Sequence, residues 1–284
     1  MMKKIGILVD SGINLSKSEV EKLGWEFIPL TLLDGDNNVY KDDGIDLDPA
    51  KAYQVLSQGL LKTSQANQES IKEKYDELLK KYEKIYVIPI TEKFSGSYAS
   101  SLLVAKKYPG KVFVLHSNII ALLMLHVLEE LQDDIYADKD FDYIQNRLYE
   151  LEKKYAAILV PSDMSYLKRS GRINLAKLIV ATTLKINPII KFDYEGFDSI
   201  GKNRGLISGV IQGIEKVVSD KGWKDYEIVA IHTIPNEDEV KNFVQMLEAK
   251  FNKKIESKKV AIIISAHLGL NMYGALLKKK INYF

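Results

Sequence analysis

Four polar segments of this chain contain side chains that suit the binding of an anion. They are Asp10-Ser11, residues 62–65 with Asn67, residues 94–98, and residues 166–173. Hydroxyl groups and backbone N–H groups at the start of a helix make a ready anion site, and Phe94-Ser95-Gly96-Ser97-Tyr98 stands where a predicted strand gives way to a predicted helix. The last segment places guanidinium groups beside a flexible glycine, which also suits an anion. These residue types predict a site for a carboxylate or a phosphate.

Each of these groups also has an ordinary structural interpretation. Hydroxyls at the junction of a loop and a helix are commonly helix caps, and Arg172 and Arg204 could form ion pairs between domains. His126 and His232 suit core or surface positions better than catalytic ones. His267 follows a predicted strand and stands beside Gly269, which makes it the stronger functional candidate.

Several enzyme classes lack their characteristic residues in this sequence. There is no cysteine, which rules out disulfides, thiolate catalysis and cysteine metal sites. Ser95-Gly96-Ser97 does not form a G-x-S-x-G elbow, and the chain has neither a P-loop nor a G-x-G-x-x-G motif. No pair of histidines or carboxylates has metal-ligand spacing on a convincing helix. The sequence offers polar anchor groups without a recognisable nucleophile–base pair.

The composition is that of a globular protein of 284 residues, of which 46% are hydrophobic and 27% charged. The net charge of +2 gives no clustered basic excess of the kind that nucleic-acid binding needs. The apolar run near the N-terminus is too short for a signal peptide, and residues 119–125 fall far below the roughly 20 residues of a membrane span. We therefore expect a soluble, cytoplasmic chain that binds no nucleic acid.

The elements that must position the polar groups alternate between strands and helices in the first half of the chain. Apolar runs predict strands at residues 4–10, 25–33, 84–90, 111–116 and 156–161. Pro29 indicates that the second strand is at an edge or bulged, and residues 62–67 are interpreted as a loop. Helices are predicted from Ser16, which forms a capping box with Glu19, from Asp48, and at residues 68–82, 97–108, 119–131 and 141–155. This alternation predicts a mostly parallel, doubly wound α/β domain over residues 1–161.

Residues 162–284 are predicted to form a second, mixed α/β domain. Tyr194-Glu195-Gly196 is typical of a hairpin turn, here between strands at residues 186–192 and 197–202. The pattern then predicts a helix at 206–221, a strand at 227–232, a helix at 237–251, a strand at 260–265 and a last helix near 273–280.

Taken together, the polar segments resemble the DegV family, whose motifs occur in the same order along almost the whole chain. The matching pieces are Val9-Asp10-Ser11, Lys62-Thr63-Ser64-Gln65, Phe94-Ser95-Gly96-Ser97-Tyr98, Val114-Leu115-His116-Ser117, Ser165-Tyr166-Leu167-Lys168-Arg169-Ser170-Gly171-Arg172-Ile173, Lys185-Ile186-Asn187-Pro188-Ile189-Ile190, Gly196, Arg204 and His267.

The resemblance implies a two-domain α/β protein that holds a long-chain fatty acid in a crevice between its domains. Characterised bacterial relatives are the binding subunit of a fatty acid kinase in phospholipid metabolism: they present the acyl carboxylate to a separate ATP-binding subunit and retain the acyl-phosphate. The implied partners are thus the fatty acid and that kinase subunit, and transient contact with a membrane surface stays open. The resemblance implies no cofactor or metal and no catalytic residue in this chain.

Residue by residue, the resemblance assigns the carboxyl contacts to Thr63, Ser95 and His267. Ser64 and Ser97 stand beside them as weaker candidates. Arg172 and Arg204 are similar to basic positions of the family near the head group and the partner face.

The sequence departs from the family pattern in three places. His116 replaces the usual Asp, residues 118–125 are bulky where the family is often small and glycine-rich, and Leu268-Gly269-Leu270-Asn271-Met272 replaces a glycine–proline–glycine turn. Two alternatives therefore stay open: a lipid-sensing module without a kinase partner, and an acyl hydrolase that uses Ser95 with His267.

Overall fold

The computed structural model of the protein describes residues 3–171 and 186–280. These residues form two compact units. The first contains the described residues up to Glu152 together with Ala261–Ile263, and the second contains the described residues of Lys153–Val260 and those from Ile264 onward.

The first unit contains short strands and helices in alternation. Its described strands are β1 (Lys3–Asp10), β2 (Glu26–Ile28), β3 (Thr31–Leu33), β4 (Val39–Lys41), β5 (Lys62–Ser64), β6 (Tyr82–Ile88) and β7 (Val112–Val114). Its described helices are α1 (Lys17–Lys22), α2 (Pro49–Ser57), α3 (Gln68–Leu78), α4 (Ser97–Ala105), α5 (Ala121–Tyr136) and α6 (Phe141–Glu152), with a short 3-10 helix at Ser11–Ile13.

Four of these strands form a parallel sheet in the order β2-β1-β6-β7. Parallel neighbours need crossover connections, which the helices between the strands supply. Side chains of α3 and α4, such as Tyr75, Leu78 and Val104, pack against Leu8 and Ile85 of the sheet in one buried cluster. The predicted parallel α/β domain is confirmed.

The predicted strand around Pro29 is divided into two strands that belong to different sheets. Before the proline, β2 is the edge strand of the parallel sheet, as expected for a chain segment that contains proline. After it, β3 is the centre of a small antiparallel sheet, β4-β3-β5. The interpretation of residues 62–64 as loop is wrong, because these residues form β5 and Thr63 pairs with Leu32.

The second unit is built on a six-stranded mixed sheet. Its described strands are β8 (Tyr155–Val160), β9 (Asn187–Asp193), β10 (Gly196–Asn203), β11 (Tyr226–His232), β12 (Glu256–Lys259) and β13 (Tyr273–Lys279). The described helices are α7 (Ser165–Ser170), α8 (Leu206–Asp220), α9 (Glu237–Phe251) and α10 (Ile262–Leu268), whose first two residues belong to the first unit. The strand order is β10-β9-β8-β13-β11-β12, and β11–β12 is the parallel pair among otherwise antiparallel neighbours. The predicted mixed domain and its β9–β10 hairpin are confirmed.

Two predictions near the end of the chain are wrong. The apolar run at residues 260–265 contributes to helix α10 instead of a strand, and residues 273–279 form strand β13 instead of a helix. β13 lies between β8 and β11, and its first five residues are buried. A segment that is apolar on all sides has no period, so the sequence pattern does not distinguish a buried strand from a buried helix.

The division between the two units precedes the boundary expected at residue 161. β8 pairs with β9 on one side and with β13 on the other, and both partners belong to the sheet of the second unit. These ladders place β8 in the second unit, so that the division falls after Glu152.

Candidate functional site

The carboxyl end of β1 is tied to the loop after β6 by a buried carboxylate. Asp10 accepts the N–H of Gly12 at 2.9 Å and the N–H of Ile90 at 2.8 Å. Burial raises the pKa of Asp10 to about 7, although both N–H donors oppose the shift. Burial also raises the pKa of nearby Asp42 to about 6. Asp10 therefore acts as a structural cap that aligns two strand ends at the edge of the parallel sheet.

The loop between β6 and α4 carries two adjacent hydroxyl groups. In this serine loop, residues 91–97, the N–H groups of Phe94 and Ser95 donate to the Thr91 carbonyl at 3.0 and 3.1 Å. The hydroxyl oxygens of Ser95 and Ser97 are 2.9 Å apart, and the Ser97 N–H donates to the Ser95 hydroxyl at 3.2 Å. The bond between the hydroxyls uses one of their two hydrogens, and the other can be donated to an anion.

Gln65 brings two of the predicted polar segments together. Its side-chain N–H donates to the Ser100 hydroxyl on α4 at 2.7 Å. Its amide oxygen lies against Gly96, in the space that a Cβ atom would need. Thr63, two residues earlier on β5, is half-buried, while Ser64 is exposed. The segment containing Thr63 thus lies beside the start of the helix that follows Ser95.

A narrow, mostly apolar cavity lies behind Ser97 in the first unit. Helices α3 and α4 and the ends of β1 and β6 contribute its wall, which consists of Leu8, Asp10, Ile28, Leu30, Ala66, Ile71, Tyr75, Val87, Pro89, Ser97 and Ser101. Most of this wall is aliphatic or aromatic, with Asp10, Ser97 and Ser101 as its polar side chains, and the space of about 10 Å³ that it encloses is the size of roughly one water molecule.

In the second unit, His267 lies buried on α10, ahead of a turn that is firmly held. The Thr233 hydroxyl donates to the Gly269 carbonyl at 2.7 Å and accepts the Met272 N–H at 2.9 Å. Gly269 and Asn271 have positive φ angles of 76° and 55°, which glycine and asparagine tolerate best. The turn at residues 269–272 is therefore an ordered structure.

The fourth polar segment lies against the same turn. A Cβ atom on Gly269 would be 2.5 Å from the Tyr166 ring, so the ring packs directly on the glycine. The Arg169 guanidinium lies 4.6 Å from the centre of that ring, in a cation–π arrangement. Arg204 is exposed after β10, and its carbonyl accepts the Asn187 side-chain N–H at 3.1 Å. Arg172 lies outside the described residues.

One other residue considered in the sequence, His232, has a structural explanation. His232 accepts the Ile234 N–H at 3.2 Å, and burial lowers the pKa of its imidazole. It is a neutral core histidine.

Within residues 3–171 and 186–280, no group of three or more His, Cys, Asp or Glu could hold a metal ion. In the same ranges, no helix combines the length and apolar character needed to cross a bilayer.

Sequence reasoning missed a polar network beside the serine loop. The His116 ring at the end of β7 has Nε2 3.0 Å from a carboxylate oxygen of Glu92 and Nδ1 2.9 Å from the Tyr149 hydroxyl. His116 was noticeable as a departure from the family pattern. Its partners were not, because they lie 24 and 33 residues away along the chain.

Comparison with known proteins places this architecture in a family. The profile described as "Uncharacterised protein, DegV family" matches residues 4–280. A DegV domain-containing protein from Mycoplasmopsis pulmonis is 28% identical over 282 residues, which cover 97% of this chain and 95% of the relative.

Solved structures show the same fold. A fatty-acid-binding DegV family protein from Thermus thermophilus has a TM-score of 0.82 at 22% identity, over 98% of this chain and 100% of the other. A stearic-acid-binding protein from Eubacterium ventriosum has a TM-score of 0.80 at 23% identity, over 99% of each chain. Since the family profile also spans nearly the whole sequence, the chain belongs to the DegV family.

Proposed function

We propose that this protein binds a long-chain fatty acid and presents its carboxyl group to an ATP-dependent fatty acid kinase subunit, without catalysing the transfer itself. The observation that carries the proposal is the Ser95–Ser97 hydroxyl pair, which adjoins the apolar cavity of the first unit. Fatty acid binding by the solved relatives from Thermus thermophilus and Eubacterium ventriosum supports the choice of ligand.

The head-group contacts are proposed to come from Thr63, Ser95 and His267, with Ser64 and Ser97 in secondary roles. Burying a carboxylate without hydrogen bonds is costly, so the site needs several donors. Ser95 supports this role because the residue is partly exposed and its hydroxyl is paired with a second hydroxyl. His267 supports it because its turn is rigidly held by Thr233.

Arg172 and Arg204 are proposed to lie near the head group or the face that meets the kinase subunit. The exposure of Arg204 is consistent with contact to a partner. A guanidinium group forms two parallel hydrogen bonds with a carboxylate or phosphate, which suits a position close to the acyl head group or its phosphate.

The acyl chain would supply most of the binding free energy. Each buried CH₂ group contributes ~0.8 kcal/mol, so a long chain gains on the order of 10 kcal/mol before ordering costs. A small set of polar contacts is then sufficient to orient the ligand. The cavity behind Ser97, whose wall includes Leu8, Ile71 and Tyr75, would have to widen to take part of the acyl chain.

The proposal is tested first by the ligand that the protein carries when purified. Native and denaturing mass spectra should differ by one fatty acid, which solvent extraction then identifies. Ser95→Ala should weaken the binding of added oleate. Ser57→Ala removes a hydroxyl that bonds within α2, at the Gln54 carbonyl, and should leave binding unchanged. An empty wild-type protein that also refuses oleate would contradict the proposal.

Two alternatives have distinct outcomes. If the protein binds fatty acid but never stimulates acyl-phosphate formation with a cognate ATP-binding subunit, a lipid-sensing module is favoured. If the isolated protein hydrolyses a generic acyl ester and Ser95→Ala abolishes the turnover, the hydrolase alternative is favoured. The mutual hydrogen bond of Ser95 and Ser97 agrees better with two donors than with one activated nucleophile.

A further inference from the structure

Hydrogen bonds to helix α6 hold both the backbone and the ring of His116 in place beside the serine loop. Its backbone N–H donates to the side-chain oxygen of Gln145 at 2.8 Å, and its carbonyl accepts the side-chain N–H of the same residue at 2.9 Å. Tyr149, one turn further along α6, holds the imidazole ring through its hydroxyl. Because α6 is anchored by the buried Ile144 and Leu148, neither the backbone nor the ring of His116 can shift without disturbing that helix.

The imidazole of His116 contacts both ends of residues 92–98, the segment that contains Ser95 and Ser97. Its Nε2 reaches Glu92, three residues before Ser95. Its ring lies edge-on to Tyr98, three residues after Ser95, with ring centres 4.9 Å apart and planes at 68°. A carboxylate only accepts hydrogen bonds, so Nε2 carries a hydrogen and donates it to Glu92. The His116 side chain therefore contacts both ends of residues 92–98.

A displacement of Glu92 should also displace Ser95, because both residues belong to one hydrogen-bonded turn. Glu92 lies within the turn in which the N–H groups of Phe94 and Ser95 both bond to the Thr91 carbonyl. Thr91 is buried, whereas the Glu92 side chain is 52% exposed. A polar contact so exposed contributes little to the free energy of folding, so its main effect should be on loop geometry.

We propose that His116 is a positioning residue for the head-group site: by holding Glu92 and Tyr98 it sets the Ser95 hydroxyl in the orientation that binds the carboxyl group of the fatty acid. This inference rests on the proposed function and adds to it a residue that does not touch the ligand.

Oleate affinity measured in a double-mutant cycle tests the inference. His116→Ala should raise the Kd for oleate about tenfold. In the Ser95→Ala background, His116→Ala should have no further effect, because the group that it positions is gone. Glu92→Gln keeps an acceptor for Nε2 and should retain nearly wild-type affinity, whereas Glu92→Ala should resemble His116→Ala.

A second histidine supplies the matched control. His126 on α5 also contacts a glutamate, Glu129, at 3.2 Å. His126→Ala should change neither the oleate Kd nor the amide resonances of Ser95 and Ser97. His116→Ala should shift those resonances in the ligand-free protein.

Several outcomes would overturn the inference. One is an unchanged Kd for oleate in His116→Ala. Another is a double variant whose loss of binding free energy equals the sum of the losses in the two single variants. If His116→Ala does not fold, Glu92→Ala decides, since an unchanged Kd there removes the role of the contact. In each case wild-type binding leaves the proposed function standing. A wild-type protein that fails to bind oleate overturns the proposed function and this inference with it.

Discussion

Asn118 donates two hydrogen bonds to the fully buried carboxylate of Glu152. Its backbone N–H is 2.7 Å from Oε1, and its side-chain N–H is 2.9 Å from Oε2. The Ser117 hydroxyl also donates to Oε1, at 3.1 Å. Burial raises the pKa of Glu152, and these donors oppose the shift. The last residue of α6 thereby fixes the loop that leads from β7 into α5.

Glu152→Gln should destabilise the protein, because an amide offers one acceptor where the loop presents donors to both oxygens. We expect the free energy of unfolding to fall by about 1–3 kcal/mol in urea denaturation. Glu150→Gln, on the exposed side of the same helix, is the control and should have little effect. Equal effects of the two changes would show that the Asn118 contacts contribute nothing to stability.

Ala121, the first residue of α5, has a φ angle of 56°, a conformation that is unfavourable for any residue with a Cβ atom. Ala121→Gly should therefore raise the free energy of unfolding by roughly 0.5–1 kcal/mol, even after the greater flexibility of glycine in the unfolded chain is counted. The same change at Ala99, exposed within α4, should lower it by about 0.5–1 kcal/mol. Thermal or urea unfolding of both variants gives the two signs, and a loss at both positions would contradict the strained conformation.

Signals that involve neighbours in sequence predicted the local structure well. The capping box of Ser16 and Glu19 and the N-cap Asp48 both begin helices where expected. The strand–helix alternation predicted the parallel sheet, and the spacing of Ser95 and Ser97 placed two hydroxyls at the start of α4.

Features that depend on distant partners were not predictable in this way. β5 is a strand because Thr63 pairs with Leu32, and β13 is a strand because β8 and β11 lie on both sides of it. The contact of Gln65 with Gly96 and that of His116 with Glu92 likewise join segments whose proximity the fold determines. Short apolar runs such as residues 260–265 are compatible with either element, and packing decides between them.

Asp10 should make the stability of the protein depend on pH. Burial raises its pKa from 3.8 to about 7, so the folded state holds the proton more tightly than the unfolded state. The resulting stabilisation is fully present below pH 3.8 and is lost as the pH rises through 7.

Asp10→Asn cannot titrate, so the destabilisation that it causes relative to wild type should be larger at pH 5 than at pH 8. Urea denaturation at the two pH values measures this difference. Asp36→Asn, an exposed position on the β3–β4 turn, serves as the control. If the destabilisation caused by Asp10→Asn were instead larger at pH 8 than at pH 5, the N–H groups of Gly12 and Ile90 would be keeping the Asp10 carboxylate ionised in the folded state.

The assignment of residues 273–279 as a central strand can be tested through Gly274. A Cβ atom there would lie 2.5 Å from the backbone oxygen of Ile158 on β8, so Gly274→Ala must separate the two strands. We expect a loss of about 3 kcal/mol in the free energy of unfolding. At Gly201, on the edge strand β10, the nearest atom would lie 3.4 Å away, on Ile189, and Gly201→Ala should have a small effect.

If residues 273–279 formed a helix, Gly274→Ala would instead stabilise the protein by up to about 1 kcal/mol, because alanine is the better helix former. The sign of the change therefore distinguishes the two assignments.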